Sequence, residues 1–90
     1  LRLDLFLAKS RLIKRRTLAK EACDRGIVFV DGHRAKAGRE VSAGQRLTID
    51  FASRIVEVEI LRLPRGNVPK KEARDLFRVL KEIRKEEEVL

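Results

Sequence analysis

At Gly26 the hydrophobic period of this chain changes from helical to extended, and that break decides what can be built on either side of it. Upstream, Leu18 and Ala22 recur at i, i+4, as do Ala19 and Cys23, which predicts an amphipathic helix over about residues 15–25 with those four on its buried side. Downstream, Ile27, Val28, Phe29 and Val30 form a β-branched and aromatic run that stops at Asp31-Gly32, a hairpin-type turn signal. Gly26 is then the left-handed residue that ends the helix. His33, Arg34, Ala35 and Lys36 begin the returning strand.

The flanking segments follow the same two periods. Leu3, Phe6 and Leu7 predict a short first helix with Arg2, Asp4 and Lys9 at its rim. Leu47, Ile49 and Phe51 alternate with polar residues, as do Val56, Val58 and Ile60, so two half-buried antiparallel strands are expected, joined across Ala52-Ser53-Arg54. Residues 64–69 read as a connector, with a proline just ahead of a last helix. Ala73, Leu76, Phe77, Leu80 and Ile83 run at helical spacing, which predicts that helix from 70 to about 87. Its charges form a solvated face of i, i+3 and i, i+4 pairs. Ninety residues make one small domain. The expected class is α+β: two N-terminal helices on a small antiparallel or mixed sheet, plus a C-terminal helix. The organisation is a domain over 1–63, a connector over 64–69, and a helix within 70–90 packed on or extending the same domain.

Charge locates the functional surface. The formal net charge is +8, and residues 1–36 carry ten Lys or Arg against four Asp or Glu, while the remainder is nearly balanced. Arg11, Lys14, Arg15, Arg16 and Lys20 crowd the entry of the central helix, where cations oppose the helix dipole. Arg2 joins that surface if the first two helices pack as a hairpin. A local cost of this kind points to a polyanion, and phosphate is the obvious anion. Arg34, Lys36, Lys70, Lys71 and Arg74 are candidates for a secondary contact. The four aromatics, Phe6, Phe29, Phe51 and Phe77, fall at expected core positions, leaving no ring set for stacking unpaired bases. Recognition through phosphates, 2′-hydroxyls and shape remains, which suits folded RNA containing A-form helices.

Other chemistries find little support. No Ser/His/Asp or Cys/His set, Gly-rich phosphate loop or metal-ligand cluster is legible, so no catalysis, metal or cofactor is expected. Cys23 reads as a small core hydrophobe and His33 as a turn residue. No apolar run approaches the roughly 20 residues of a membrane span, so no membrane partner and a cytoplasmic location are expected, with the chain a monomer. A protein adaptor whose basic face docks an acidic partner is the competing class.

Arg2-Leu3-Asp4, Ser10-Arg11, the run Arg15-Arg16-Thr17-Leu18-Ala19, and the series Arg25-Gly26-Ile27-Val28-Phe29-Val30-Asp31-Gly32 resemble the RNA-binding domain named after ribosomal small-subunit protein S-four, the αL motif. Val41-Ser42-Ala43-Gly44-Gln45 followed by Leu47-Thr48-Ile49 is similar to that family's strand-turn signature. Asp31 stands where the family often has Asn. The short chain and the Lys70-Lys71-Glu72-Ala73 run are most similar to a branch acting in ribosome-associated quality control. A heat-shock branch of the same fold is also similar but usually carries a longer basic C-terminal extension. The resemblance implies a non-catalytic factor on a large ribosomal subunit obstructed by peptidyl-tRNA, with ribosomal RNA and the tRNA as partners. It also implies support for an alanine-tailing factor on the same subunit, the heat-shock branch implying recycling of blocked subunits instead. The family's RNA-binding positions correspond to Arg2, Arg11, Arg15 and Arg16, with Lys14 and Lys20 added from the charge pattern.

Overall fold

In the computed structural model, which describes residues 1–86, α1 (Leu3–Lys9) and α2 (Arg16–Asp24) pack against one face of an antiparallel sheet. The strands are β1 (Val28–Val30), β2 (His33–Arg34), β3 (Arg46–Asp50), β4 (Arg54–Ile60) and β5 (Phe77–Arg84), in the spatial order β2-β1-β3-β4-β5. Every neighbouring pair is antiparallel, which resolves the antiparallel-or-mixed expectation.

The period-two pattern sets the core. Val28 and Val30, Leu47 and Ile49, and Val56, Val58 and Ile60 all face the helices, which contribute Leu3, Phe6, Leu7, Ala19, Ala22 and Cys23. Gly26 ends α2 at φ +75°, and the β1–β2 turn has positive φ at both Asp31 (49°) and Gly32 (83°). That is the backbone twist a two-residue hairpin loop requires. Asp31 is an active member of the turn, accepting the Arg46 amide at 3.0 Å and the Gln45 side-chain amide at 3.2 Å.

Three expectations are corrected here. Leu18 is 45% exposed, because α2 packs through Ala19, Ala22 and Cys23 and Leu18 sits roughly a quarter turn off that arc. Phe29 alternates away from buried Val28 and Val30 and lies on the opposite face, with the Arg34 guanidinium 6.0 Å from its ring centroid. The last helix is short. α3 spans Lys70–Ala73 and is followed by a 3-10 turn, Arg74–Leu76, but Phe77–Arg84 is strand β5; the expected helical end near Glu87 lies outside the described residues.

The physical reason for the strand is β4. Without a fifth strand its outer row of amides and carbonyls would lack partners, and β5 pairs with it from Ile60 to Arg54. An irregularity in register between Glu57 and Val58 accommodates one extra residue, Leu80. Charges that fit i, i+4 helix pairs instead meet across strands: Arg78 bonds Glu59, and Arg54 bonds Glu82 at 3.0 Å. Phe77–Arg84 thus completes the sheet of the same domain.

Val58 and Val79 are register partners, yet Val58 is fully buried and Val79 is 53% exposed. Val58→Ala should cost on the order of 2–3 kcal/mol and Val79→Ala less than about 1 kcal/mol in denaturant unfolding. Equal losses would contradict this placement of the core.

Candidate nucleic-acid interface

Residues 36–40 hold the start of α1. The Leu3 amide donates to the Arg39 carbonyl at 2.8 Å and the Asp4 amide to the Ala37 carbonyl at 3.1 Å. Arg2 forms an isolated antiparallel bridge with Glu40. These bonds satisfy amides that a helix leaves open at its first turn, and they fix where Arg2 leaves the backbone.

Asp4, expected at the rim, is buried, with 2% of its surface exposed. Its Oδ1 accepts the Leu5 amide at 2.8 Å and Arg2 Nε at 3.2 Å; its Oδ2 accepts Arg2 Nη2 at 3.3 Å and Arg16 Nε at 3.4 Å. Burial alone would raise the Asp4 pKa. The Arg2 hydrogen bond, the charges of Arg16 and Arg2, and the Leu5 amide together outweigh it and hold the carboxyl below its ordinary value. The carboxylate therefore ties the residue before α1 to the first residue of α2.

Both guanidinium groups remain about half exposed, and each has five N–H donors. Asp4 engages Nε and one Nη2 donor of Arg2, and only Nε of Arg16, so most of both forks is left for an anion. Arg15 is the extended residue capping α2, Lys14 precedes it in the loop, and Lys20 follows Arg16 by one turn; all three are exposed. The structure thus joins Arg2 to Arg16 through Asp4 and sets Lys14, Arg15 and Lys20 on the same helix entry and first turns.

Arg11 stands apart. It follows the far end of α1, about 13 Å along the helix axis from Arg2, and makes no ion pair among the described residues. It lines a shallow groove with Lys9, Asn67 and Val68, and a second with Leu12, Phe51, Arg54 and Phe77. Its φ is +62°, left-handed backbone at the position after the helix cap where glycine is usual.

Of the secondary candidates, Arg34 is held by the Gly26 carbonyl at 3.1 Å, and Lys36 lies near it beside Cys23 and Asp24. Lys70, Lys71 and Arg74 are exposed on α3 and the turn after it, on a different element from the Asp4 cluster. Burial pushes the Cys23 thiol up to about 11, with Asp4 and Asp24 adding to the rise, so it is protonated and unreactive at neutral pH. Among the described residues no cluster of three or more His, Cys, Asp or Glu is placed to hold a metal, and no helix is long and apolar enough to cross a membrane.

Rings for base stacking are scarce, by the expected route in all but one case. Phe6 is fully buried, and Phe51 and Phe77 are partly buried against the core as expected, Phe51 with the Arg54 guanidinium 5.3 Å from its centroid; Phe29 alone faces away, with Arg34 beside its ring. Sequence reasoning missed Asp4, although a signal existed: it is the sole acid among the first twenty residues, set among seven Lys and Arg.

The chain is similar to known proteins along most of its length. The S4 domain model matches residues 1–47. A protein of Halalkalibacterium halodurans named RQC P-site tRNA stabilizing factor is 51% identical over 82 residues, covering 91% of this chain and 92% of that protein. The protein of the same name from Bacillus subtilis is 45% identical, covering 91% and 94%. The trimeric structure of Vibrio cholerae Heat Shock Protein 15 superposes with a TM-score of 0.80 at 29% identity, over 88% of this chain and 80% of that one.

The site sets up two stability measurements. Arg11→Gly relieves a left-handed side chain and should raise stability by about 0.5–1 kcal/mol, read as an increased Tm; a decrease would show that the Arg11 side chain contributes more than the strain costs. Because the folded-state pKa of Asp4 is lowered, its stabilisation is present above the ordinary aspartate range and is lost as pH falls through the lowered value. Asp4→Asn should flatten the acid limb of the stability-pH curve, and an unchanged limb would contradict the assignment.

Proposed function

The chain belongs to the S4-domain family, and from that premise we propose that it is a non-catalytic RNA-binding factor of the ribosome, acting in the cytoplasm on large subunits obstructed by peptidyl-tRNA. The observation that carries this reading is the pairing of Arg2 and Arg16 on buried Asp4, with most of their donors free. Exposed Lys14, Arg15 and Lys20 add positive charge at the entry and first turns of the same helix. Such a surface reads ribose-phosphate geometry and presents no aromatic ring beside the Asp4 cluster, which suits the folded ribosomal RNA and tRNA of an assembled subunit.

The name shared by relatives at 51% and 45% identity supports placing the action at the P-site tRNA during ribosome-associated quality control. In that setting the protein steadies the peptidyl-tRNA by contacting both the tRNA and ribosomal RNA. A partner that adds alanines to the stalled chain then finds its substrate in register. The protein acts here as a monomer and contributes charge and shape, with no bond made or broken on its own side chains. The likeness to Heat Shock Protein 15 favours a second reading, a heat-shock-type factor for recycling blocked large subunits. The two readings share the binding step and differ in the fate of the bound subunit.

Co-sedimentation with isolated large subunits, with and without a trapped peptidyl-tRNA, tests the binding step. The wild-type protein should prefer subunits carrying peptidyl-tRNA. Arg16→Ala should weaken binding roughly tenfold or more, as expected for losing a charge-assisted contact. The logarithm of affinity should fall linearly with the logarithm of salt concentration. Binding that ignores both the substitution and the salt would overturn the proposal.

A further inference from the structure

A carboxylate in the middle of an anion-binding surface works against that surface by simple charge counting, since it repels phosphate and cancels part of the local positive field. Asp4 is such a group, and its surroundings show what offsets the cost. Both of its oxygens are used, and the two arginines it holds come from different elements, one just before α1 and one at the start of α2. The Arg2 guanidinium also lies against Gly38, whose added Cβ would stand 3.7 Å from it, so the backbone walls one side of that group.

A free arginine side chain has many accessible rotamers, much of whose entropy it gives up on gripping a phosphate. An arginine already held along its Nε edge loses less on binding, and its remaining donors project away from the carboxylate. Two arginines sharing one carboxylate are also held at a fixed separation, which matches them to a pair of oxygens or phosphates of defined spacing.

We infer that Asp4 is a positioning residue for RNA binding: its negative charge sets the direction and spacing of the Arg2 and Arg16 guanidinium groups, so that removing it weakens binding although the protein becomes more positive. The inference rests on the RNA-binding reading given above and goes beyond it by assigning an acid to the site. Asp4 touches no RNA in this account. It acts through the arginines.

The test is a double-mutant cycle on the intact protein, with isolated large subunits carrying peptidyl-tRNA as the probe and binding read at several salt concentrations. Asp4→Asn keeps an oxygen for the Leu5 amide and nearly the same shape while removing the charge. It should lower affinity about fivefold to tenfold at a temperature where its melting curve shows the variant folded. In the Arg2→Ala/Arg16→Ala background the same change should have no effect or raise affinity slightly, because the carboxylate is then only a repulsive charge. That reversal separates positioning from a structural role, which would lower affinity in both backgrounds. Lys14→Ala serves as the control cation: its loss should add to that of Asp4→Asn without coupling.

Tighter binding by Asp4→Asn in the otherwise wild-type protein, or an equal loss in both backgrounds, would overturn the inference while leaving the RNA-binding reading intact. Wild-type affinity in Arg2→Ala/Arg16→Ala would instead overturn that reading. Should Asp4→Asn melt too low to assay, Arg16→Lys supplies the measurement, since lysine keeps the charge but has no Nε edge for Asp4 to hold; it should lose most of the affinity that Arg16→Ala loses. Wild-type affinity in that variant would overturn the inference.

Discussion

The contact on which the site depends is a buried carboxylate shared by two arginines. Asp4 is inside the protein, Arg2 and Arg16 are half outside it, and three side chains from two helix starts are thereby locked to one another. A buried acid left without partners would be costly, and here the partners are the residues that face the solvent. The same interaction therefore closes the junction between α1 and α2 and orders the surface above it. Packing below depends on the small residues of α2: Ala19, Ala22 and Cys23 allow close approach, and the β1, β3 and β4 side chains complete the layer.

The sheet keeps other charges occupied. Arg54 is held by Glu82, Arg78 by Glu59, and Lys85 by Asp50, so the β4–β5 edge is largely self-neutralising. Contrast between this edge and the helix entry matters more than the net charge of +8. Where acids are interleaved with cations across strands they cancel. At the helix entry the single acid is buried and spends its hydrogen bonds orienting the cations. Arg11 belongs to neither group. Its left-handed backbone and its groove beside Leu12, Phe51 and Phe77 set it apart from the Asp4 cluster.

Much of this is legible in the residues. The period change at Gly26, the Asp31-Gly32 turn and the alternation in β3 and β4 each obey a local rule and correspond to observed elements. Phe77–Arg84 is not legible, because Leu76, Phe77, Leu80 and Ile83 satisfy a helical period as well as a bulged strand satisfies its own. The unpaired edge of β4 makes the choice, a tertiary demand that no local pattern carries. Leu18 escapes sequence reasoning for a related reason: the i, i+4 rule identifies which residues share a stripe, but not which edge of the stripe the neighbouring helix covers. Asp4 reads as a rim residue because an acid in the first turn of a helix is ordinarily solvated and favoured there. Its burial depends on α2 bringing Arg16 across from twelve residues away.

Side-chain NMR of the arginine Nε–Hε groups, monitored as RNA from the large subunit is added, tests this account most directly. In the free protein the Arg2 and Arg16 Hε protons should exchange slowly with water because Asp4 holds them, and on titration their Nη groups should shift first while Hε remains protected. Hε protons that exchange as fast as those of Arg62 and Arg65, which are exposed and have no side-chain bond among the described residues, with RNA-induced shifts concentrated on β5, would contradict it.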